Sequence, residues 1–264
     1  MSAAEPILRV EHLSMRFGGL VAVDDVSIEL RRGQIHAVIG TNGAGKSTLI
    51  NLLAGEIAPT SGSVSLAGHA VTGTRPHRLA RLGIGRTFQR SNVFAEFTAL
   101  ENCRLAAQAR NPRAWALHER AARCATSSEA AARALDAVGL TARGDMPAGL
   151  LSHGERRELE IAMCLATDPT VLLLDEPLAG MGAEESQRVL ELLRRLKPER
   201  AILLVEHDMD AVFAVADVIT VMADGAVLAS GAPETVRNDP AVREAYLGDA
   251  EFGPLAPLAG RGSG

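Results

Sequence analysis

Residues 40–47 read Gly40-Thr41-Asn42-Gly43-Ala44-Gly45-Lys46-Ser47, the pattern Gly-x-x-x-x-Gly-Lys-Ser. An apolar, β-branched run, Gln34 to Ile39, precedes it, and the helical stretch Thr48 to Ala54 follows. A phosphate-binding loop needs that context: a strand, a glycine turn, then a helix. The glycines let the backbone curl until the N–H groups of Asn42, Gly43, Ala44 and Gly45, continuing into Lys46, Ser47 and Thr48, point at phosphate oxygens. The helix N-terminus adds positive potential. In such a loop Lys46 reaches the β- and γ-phosphates and the Ser47 hydroxyl ligates Mg²⁺.

The remaining pattern predicts an α/β chain. Ile7–Val10, Val26–Leu30 and Ser63–Leu66 read as strands around this loop, the last after the turn signal Pro59-Thr60-Ser61-Gly62. Residues 98–141 are rich in Ala, Arg, Leu and Glu, which favours helix, with a break at Asn111-Pro112 and a helix end at Val138-Gly139-Leu140. A helix over 152–167 precedes the buried strand Val171–Leu174, and a helix over 183–196 precedes Ala201–Val205. Continuous apolar strands alternating with helices predict a parallel sheet covered on both faces. Val218–Met222 and Ala226–Ala229 form a hairpin around Asp224-Gly225. The expected organisation is a single domain over 1–250. It has a core from about 1–90 and 168–250, an inserted helical subdomain over about 91–167, and a disordered tail over 251–264.

A length of 264 residues is ample for such a core. The net charge of −5 and an aromatic content of 3% argue against a nucleic-acid binder. Apolar runs such as Ile161–Ala166 and Ala211–Ala216 fall far short of the roughly 20 residues of a membrane helix. The opening MSAAEPILRVEH lacks a basic start before an apolar core, so no secretory leader is expected. Cys103, Cys124 and Cys164 have no metal spacing and are expected to be buried, reduced thiols.

A second chemical element closes the strand Val171–Leu174: Asp175 and then Glu176. A carboxylate at a buried strand end can hold the Mg²⁺ shell, a role for Asp175. Glu176, one residue on, can act as the general base for an attacking water. Upstream stands Leu151-Ser152-His153-Gly154-Glu155. Ser152-x-x-Glu155 is by itself a capping box that starts a helix.

Together these segments resemble the ATP-binding cassette (ABC) ATPases, in which a signature LSGGQ occupies the place of LSHGE. The fold this implies is a P-loop NTPase of the ABC type, with a mixed sheet core, an antiparallel β subdomain and an inserted α-helical subdomain. The resemblance covers residues 7 to about 249. It implies that Ser152 and Gly154 cap the γ-phosphate of ATP held by a partner subunit. It also implies that Gln89, in Arg86-Thr87-Phe88-Gln89, is the glutamine that joins metal, nucleotide and membrane partner. His207, in Val205-Glu206-His207-Asp208, matches the switch histidine, and Phe17 stands where the family stacks an aromatic on adenine. The implied cofactors are ATP and Mg²⁺. The implied partners are a second ATPase subunit, paralogous or identical, permease subunits in the membrane, and indirectly a solute-binding protein; the implied place is the cytoplasmic face of the membrane. Four positions depart from the common pattern: His153 and Glu155 in the signature, Thr41 for a frequent Pro, and Gly182 where many members have Asp.

Within the family, four segments resemble the ATPases of bacterial branched-chain (hydrophobic) amino-acid importers. They are Phe17 to Val23, Gly83 to Gln89, Leu159-Glu160-Ile161-Ala162, and Asp239-Pro240 through Ala245-Tyr246-Leu247-Gly248. Importers of urea, amides or aromatic acids are close alternatives; the urea ATPases share the LSHG and Ala179-Gly180-Met181 features. A soluble ABC ATPase acting in translation or repair is a distant alternative, as is a nucleotide-binding regulator without turnover. Tandem cassettes or a long coiled coil would mark the soluble class, and neither occurs in the sequence. Glu176 and His207 together argue against the regulator.

Overall fold

Apolar residues alternate between the two faces of the central strands and so feed separate apolar clusters. The two larger flank the strands Val171–Asp175 and Ala201–Val205, while Ala37 and Ile39 of the strand Gln34–Gly40 join a smaller third with Val212, Ile219 and Val221. Leu172 and Leu174 pack in one apolar cluster, Val171 and Leu173 in the other, all at 0% exposure. Ile202 and Leu204 face the first cluster, and Ala201, Leu203 and Val205 the second. This is the period-2 geometry of a strand covered on both sides. Each buried Val, Leu or Ile among them contributes about 1.5–3 kcal/mol by leaving water.

The computed structural model describes residues 5–88, 92–109 and 125–247. The first part of the chain runs β1 (Leu8–Phe17), β2 (Leu20–Leu30), β3 (Gln34–Gly40), α1 (Lys46–Leu53), β4 (Ser61–Leu66), β5 (His69–Ala70), α2 (Pro76–Leu82) and β6 (Ile84–Arg86). The middle supplies α3 (Ala99–Gln108), α4 (Ala125–Ala137) and α5 (His153–Ala166). The last part runs β7 (Val171–Asp175), α6 (Ala183–Leu196), β8 (Ala201–Val205), α7 (Met209–Val215), β9 (Val218–Ala223), β10 (Ala226–Gly231), α8 (Pro233–Arg237) and α9 (Pro240–Leu247).

Two sheets result. The larger has the order β10-β9-β3-β8-β7-β6. All neighbours in it are parallel except the β9–β10 hairpin. The smaller is antiparallel, in the order β2-β1-β4-β5. Helix α1 shares one apolar core with both sheets through Leu49, Ile50, Leu52 and Leu53. Helices α3, α4 and α5 pack on one another, and their apolar faces join the cluster on the other side of the larger sheet.

Local chemistry sets the helix ends. Thr98 starts α3 and Ser152 starts α5, each with a reciprocal capping box, to Glu101 and Glu155. Helix α6 carries Glu184 and Glu185 in its first turn and Arg194 and Arg195 in its last, which complements its dipole.

Most expected elements appear, with shifted bounds. The strand expected at Ile7–Val10 runs on to Phe17, and that expected at Val26–Leu30 begins at Leu20. The helix after the phosphate loop starts at Lys46 rather than Thr48, because Gly45 already serves as its N-cap. Asn111-Pro112 and the tail after residue 247 lie outside the described residues. Cys103 and Cys164 are free and buried, and burial pushes both thiols up to about 12. Cys124 lies outside the described residues.

Candidate functional site

Three neighbouring parallel strands end together and carry the predicted chemistry. β8 lies between β3 and β7. Val38 of β3 and Asp175 of β7 both pair with Val205 of β8. Within one or two residues further along the same direction come the phosphate loop after β3, Glu176 after β7, and Glu206 and His207 after β8. In open α/β sheets the carboxyl ends of the strands are where ligands bind.

The loop is built around Gly45. It takes φ +96° as the N-cap of α1, a left-handed conformation that side chains resist. A Cβ there would overlap the carbonyl oxygen of Ala22. The β2 backbone and the Asp224-Gly225 turn therefore press on the loop, and Gly225 N–H donates to Ala44 O at 3.2 Å. No side chain caps α1, so its first N–H groups remain available to an anion. Lys46 is 7% exposed and donates to the carbonyls of Gly40 at 2.7 Å and Thr41 at 3.0 Å. Burial lowers its pKa, while the charges of Glu176 and then Asp175 act the other way. Asn42, Gly43 and Ser47 are exposed on the loop, Gly45 and Thr48 are half-buried, and Ala44 is buried.

Asp175 is 3% exposed, and burial raises its pKa, opposed first by Arg86. The Arg86 guanidinium stands 3.6 Å from Asp175 Oδ2, while Asp175 Oδ1 is buried without a hydrogen-bond partner among the described residues. No group of three or more His, Cys, Asp or Glu side chains suited to a metal occurs among the described residues. The described residues thus form no dedicated cage, but an orphaned carboxylate oxygen beside a phosphate loop suits Mg²⁺, which is held by one or two carboxylates plus phosphate oxygens.

Glu176 adopts φ +47°, a left-handed conformation uncommon outside glycine. Its N–H donates to Val205 O at 2.9 Å. His207 is exposed, with Nδ1 3.7 Å from Glu206 Oε2. Glu206 itself is 0% exposed and accepts from Leu178 N–H at 2.8 Å and His207 N–H at 3.2 Å. Burial raises its pKa, and those two donors pull it back.

Ser152 and Gly154 stand elsewhere, at the start of α5. Ser152 Oγ accepts from Glu155 N–H at 3.1 Å, and Glu155 Oε2 accepts from Ser152 N–H at 2.8 Å. Arg143 Nε donates to Glu155 Oε1 at 2.9 Å, and these contacts hold the Glu155 carboxyl below its usual range, the Ser152 N–H first among them. Ser152 remains exposed. Gly154 packs so closely on the Glu185 carboxylate that a Cβ would displace it, and the His153 ring lies against Gly180. Glu185 also accepts from Gly182 N–H at 3.0 Å.

Phe17 ends β1 and is 49% exposed, available to a ligand rather than committed to the core. Gln89 lies outside the described residues. Arg157 of α5 donates to the Phe88 carbonyl at 3.0 Å, directly before it. Arg86, Arg157, Glu185 and Glu206 were not singled out from the sequence. Glu206 carried a readable signal: like Asp175, it is a carboxylate that ends an uninterrupted apolar strand.

Comparisons with known proteins agree with this geometry. A model of the ABC transporter family matches residues 23–179, and a model described as branched-chain amino acid ATP-binding cassette transporter matches 226–251. The chain is 42% identical to the high-affinity branched-chain amino acid transport ATP-binding protein BraF of Pseudomonas aeruginosa, over 94% of this chain and 100% of that protein. It is 42% identical to LivG of Salmonella typhimurium, described in the same terms, with the same coverage. A solved nucleotide-free ATP-binding cassette from an ABC transporter superposes with a TM-score of 0.83 at 32% identity, covering 93% of this chain and all of that one. A cassette solved in its ADP conformation gives the same values.

Proposed function

The chain belongs to the ABC transporter family, whose ATP-binding cassettes hydrolyse ATP to drive transport, and from that premise we propose that it is the motor of an importer for branched-chain, hydrophobic amino acids. One observation carries the motor reading: the phosphate loop, Asp175-Glu176 and His207 leave the carboxyl ends of three adjacent strands. The cargo assignment rests on the 42% identical relatives and on the match at 226–251.

In this reading the loop from Asn42 to Thr48 cradles the phosphates, and Lys46 exchanges its two carbonyl partners for phosphate oxygens. Phe17 stacks on the adenine. Ser47, Asp175 and Gln89 hold Mg²⁺, which when bound neutralises phosphate charge. Glu176 accepts a proton from the attacking water, and His207 stands beside the γ-phosphate. Ser152 and Gly154 serve the ATP of a second ATPase subunit: the Ser152 oxygen caps its own helix through a lone pair, which leaves the O–H to donate outward. Gln89 and the residues after it, Arg90 to Phe97, meet permease subunits in the membrane. No described helix is long and apolar enough to cross a membrane itself. In this reading the chain works at the cytoplasmic face of the membrane, with a solute-binding protein acting beyond the permease.

The test is uptake. Vesicles carrying this chain with the permease it co-purifies with should take up labelled leucine in an ATP-dependent manner, and Lys46→Ala should abolish it. Uptake of urea, an amide or an aromatic acid in place of leucine would reassign the cargo. Failure to capture any permease from membranes would contradict the importer reading.

A further inference from the structure

Glu206 is a carboxylate with no exposed surface, at a strand end where an apolar residue would close the core at lower cost. A charge taken wholly out of water is retained when it is paired or hydrogen-bonded. Its two oxygens are engaged by two different catalytic loops. Oε1 accepts from Leu178 N–H at 2.8 Å, two residues after Glu176, and Oε2 accepts from His207 N–H at 3.2 Å. The register of β7 on β8 puts Glu206 beside Glu176 itself, since Asp175 pairs with Val205.

Glu176 needs such support. Its φ of +47° is strained for a side-chain-bearing residue and persists only where the surroundings over-determine it. Val205 O fixes its N–H, and Ala179 N–H returns to its carbonyl at 3.2 Å. The Leu178–Glu206 bond holds the middle of that turn. The same carboxylate anchors the backbone of His207, so the two loops share one fixed point.

We propose that Glu206 is a positioning residue for ATP hydrolysis, whose buried carboxylate locks the turn after Glu176 to the backbone of His207 and so keeps base and histidine in a common geometry. The inference rests on the roles proposed above for Glu176 and His207. The two hydrogen bonds that Glu206 accepts come from Leu178 and His207 and not from the phosphate loop, so ground-state binding of ATP is expected to change little without it.

The test compares Glu206→Gln, which keeps the shape but offers one acceptor oxygen, with Glu206→Ala, which offers none. Both should bind a fluorescent ATP analogue and show KM within about twofold of wild type, since no binding contact is lost. The kcat of Glu206→Ala should fall about 10- to 100-fold, the range of a small misplacement of a catalytic group, with Glu206→Gln intermediate. Wild-type kcat in a folded Glu206→Ala would overturn the proposal, as would equal losses of kcat and ATP affinity. If the alanine variant does not fold, the glutamine variant decides by the same split. Glu176→Gln is the reference. If it turns over normally, the base assignment fails and the Glu206 proposal with it. If it is inactive while Glu206→Ala turns over normally, the Glu206 proposal alone fails.

Discussion

Ser152→Ala separates two roles of one side chain by magnitude. Ser152 Oγ caps α5 through the 3.1 Å bond from Glu155 N–H, and that bond is lost in the variant. The reciprocal bond, from the Ser152 backbone N–H to the Glu155 carboxylate, does not use the Ser152 side chain and stays. Loss of a serine N-cap costs about 1 kcal/mol, which in a chain of this size lowers Tm by roughly 2–4 °C. A domain of ordinary stability then remains more than about 99% folded. Capping alone therefore predicts almost no change in turnover per molecule. Loss of a hydroxyl donor to the transition state of a partner's ATP would instead lower kcat by about 10²–10³-fold. Ser152→Asp sharpens the contrast. Aspartate is as good an N-cap as serine and suits the helix dipole, yet it sets a negative charge where the partner's γ-phosphate should lie. Its Tm should stay near that of wild type while ATPase activity disappears. The assay is steady-state ATPase at high protein concentration beside thermal unfolding of the same samples. Wild-type turnover in Ser152→Asp, or a loss in Ser152→Ala no greater than its loss of folded protein, would refute the phosphate role and leave a helix cap.

Lys46→Ala should abolish useful ATP binding, because Lys46 is the charged side chain within the loop; near-wild-type affinity in titration with a fluorescent analogue would sink that assignment. Phe17→Ala should weaken nucleotide binding by about 1–3 kcal/mol, the worth of one aromatic–base stack, with little change in preference between ATP and GTP; unaltered affinity would make Phe17 a surface residue of β1. His36 is 3% exposed, with Nδ1 3.1 Å from Glu29 O and Nε2 2.7 Å from Thr220 Oγ1, and burial lowers its pKa. A histidine whose folded pKa lies below its unfolded value of about 6.5 favours folding fully above that pH and loses the contribution as pH falls through it. Urea unfolding between pH 7.5 and 5.5 should show a larger stability loss for wild type than for His36→Gln; parallel losses would remove His36 as the cause.

The parts of this molecule that could be read from its sequence are those where local pattern and tertiary packing agree. β7 and β8 are uninterrupted apolar runs, buried on both faces, and both appear at nearly the expected bounds. Gly-Lys-Ser in a strand–helix context located the loop, because few other backbones satisfy that spacing. β1 and β2 were read short because their alternation is broken. His12 and Asp25 adopt positive φ, and the β1–β2 register slips more than once, which moves side chains off a period of two. β6 is three residues long and contains Gly85, whose missing side chain lets it approach Cys164 and Pro169. No periodicity can be read from so short a strand. Helix α2 did carry Pro at its start and Gly83 as its left-handed C-cap, but spans only seven residues. Arg86 was illegible as a functional group for another reason: its meaning lies in burial and in a partner distant along the chain, Asp175. Glu206 was legible as a carboxylate at a strand end, but its hold on Leu178, 28 residues away, was not.

In the mechanism proposed above, one chain holds two half-sites, a phosphate loop and a signature, that meet their complements only across bound ATP. Glu176→Gln keeps the side-chain shape, removes the base, and should allow ATP to bind without being hydrolysed. Light scattering of this variant with and without ATP is the direct test. The account predicts a monomer or weak association without nucleotide and a stable dimer, or a heterodimer when the paralogous ATPase is present, once ATP is added. Closure of two surfaces by mass action also predicts that wild-type specific activity rises with protein concentration. A Glu176→Gln protein that binds ATP and stays monomeric at every concentration, beside a wild type whose turnover per molecule does not change on dilution, would contradict the shared site.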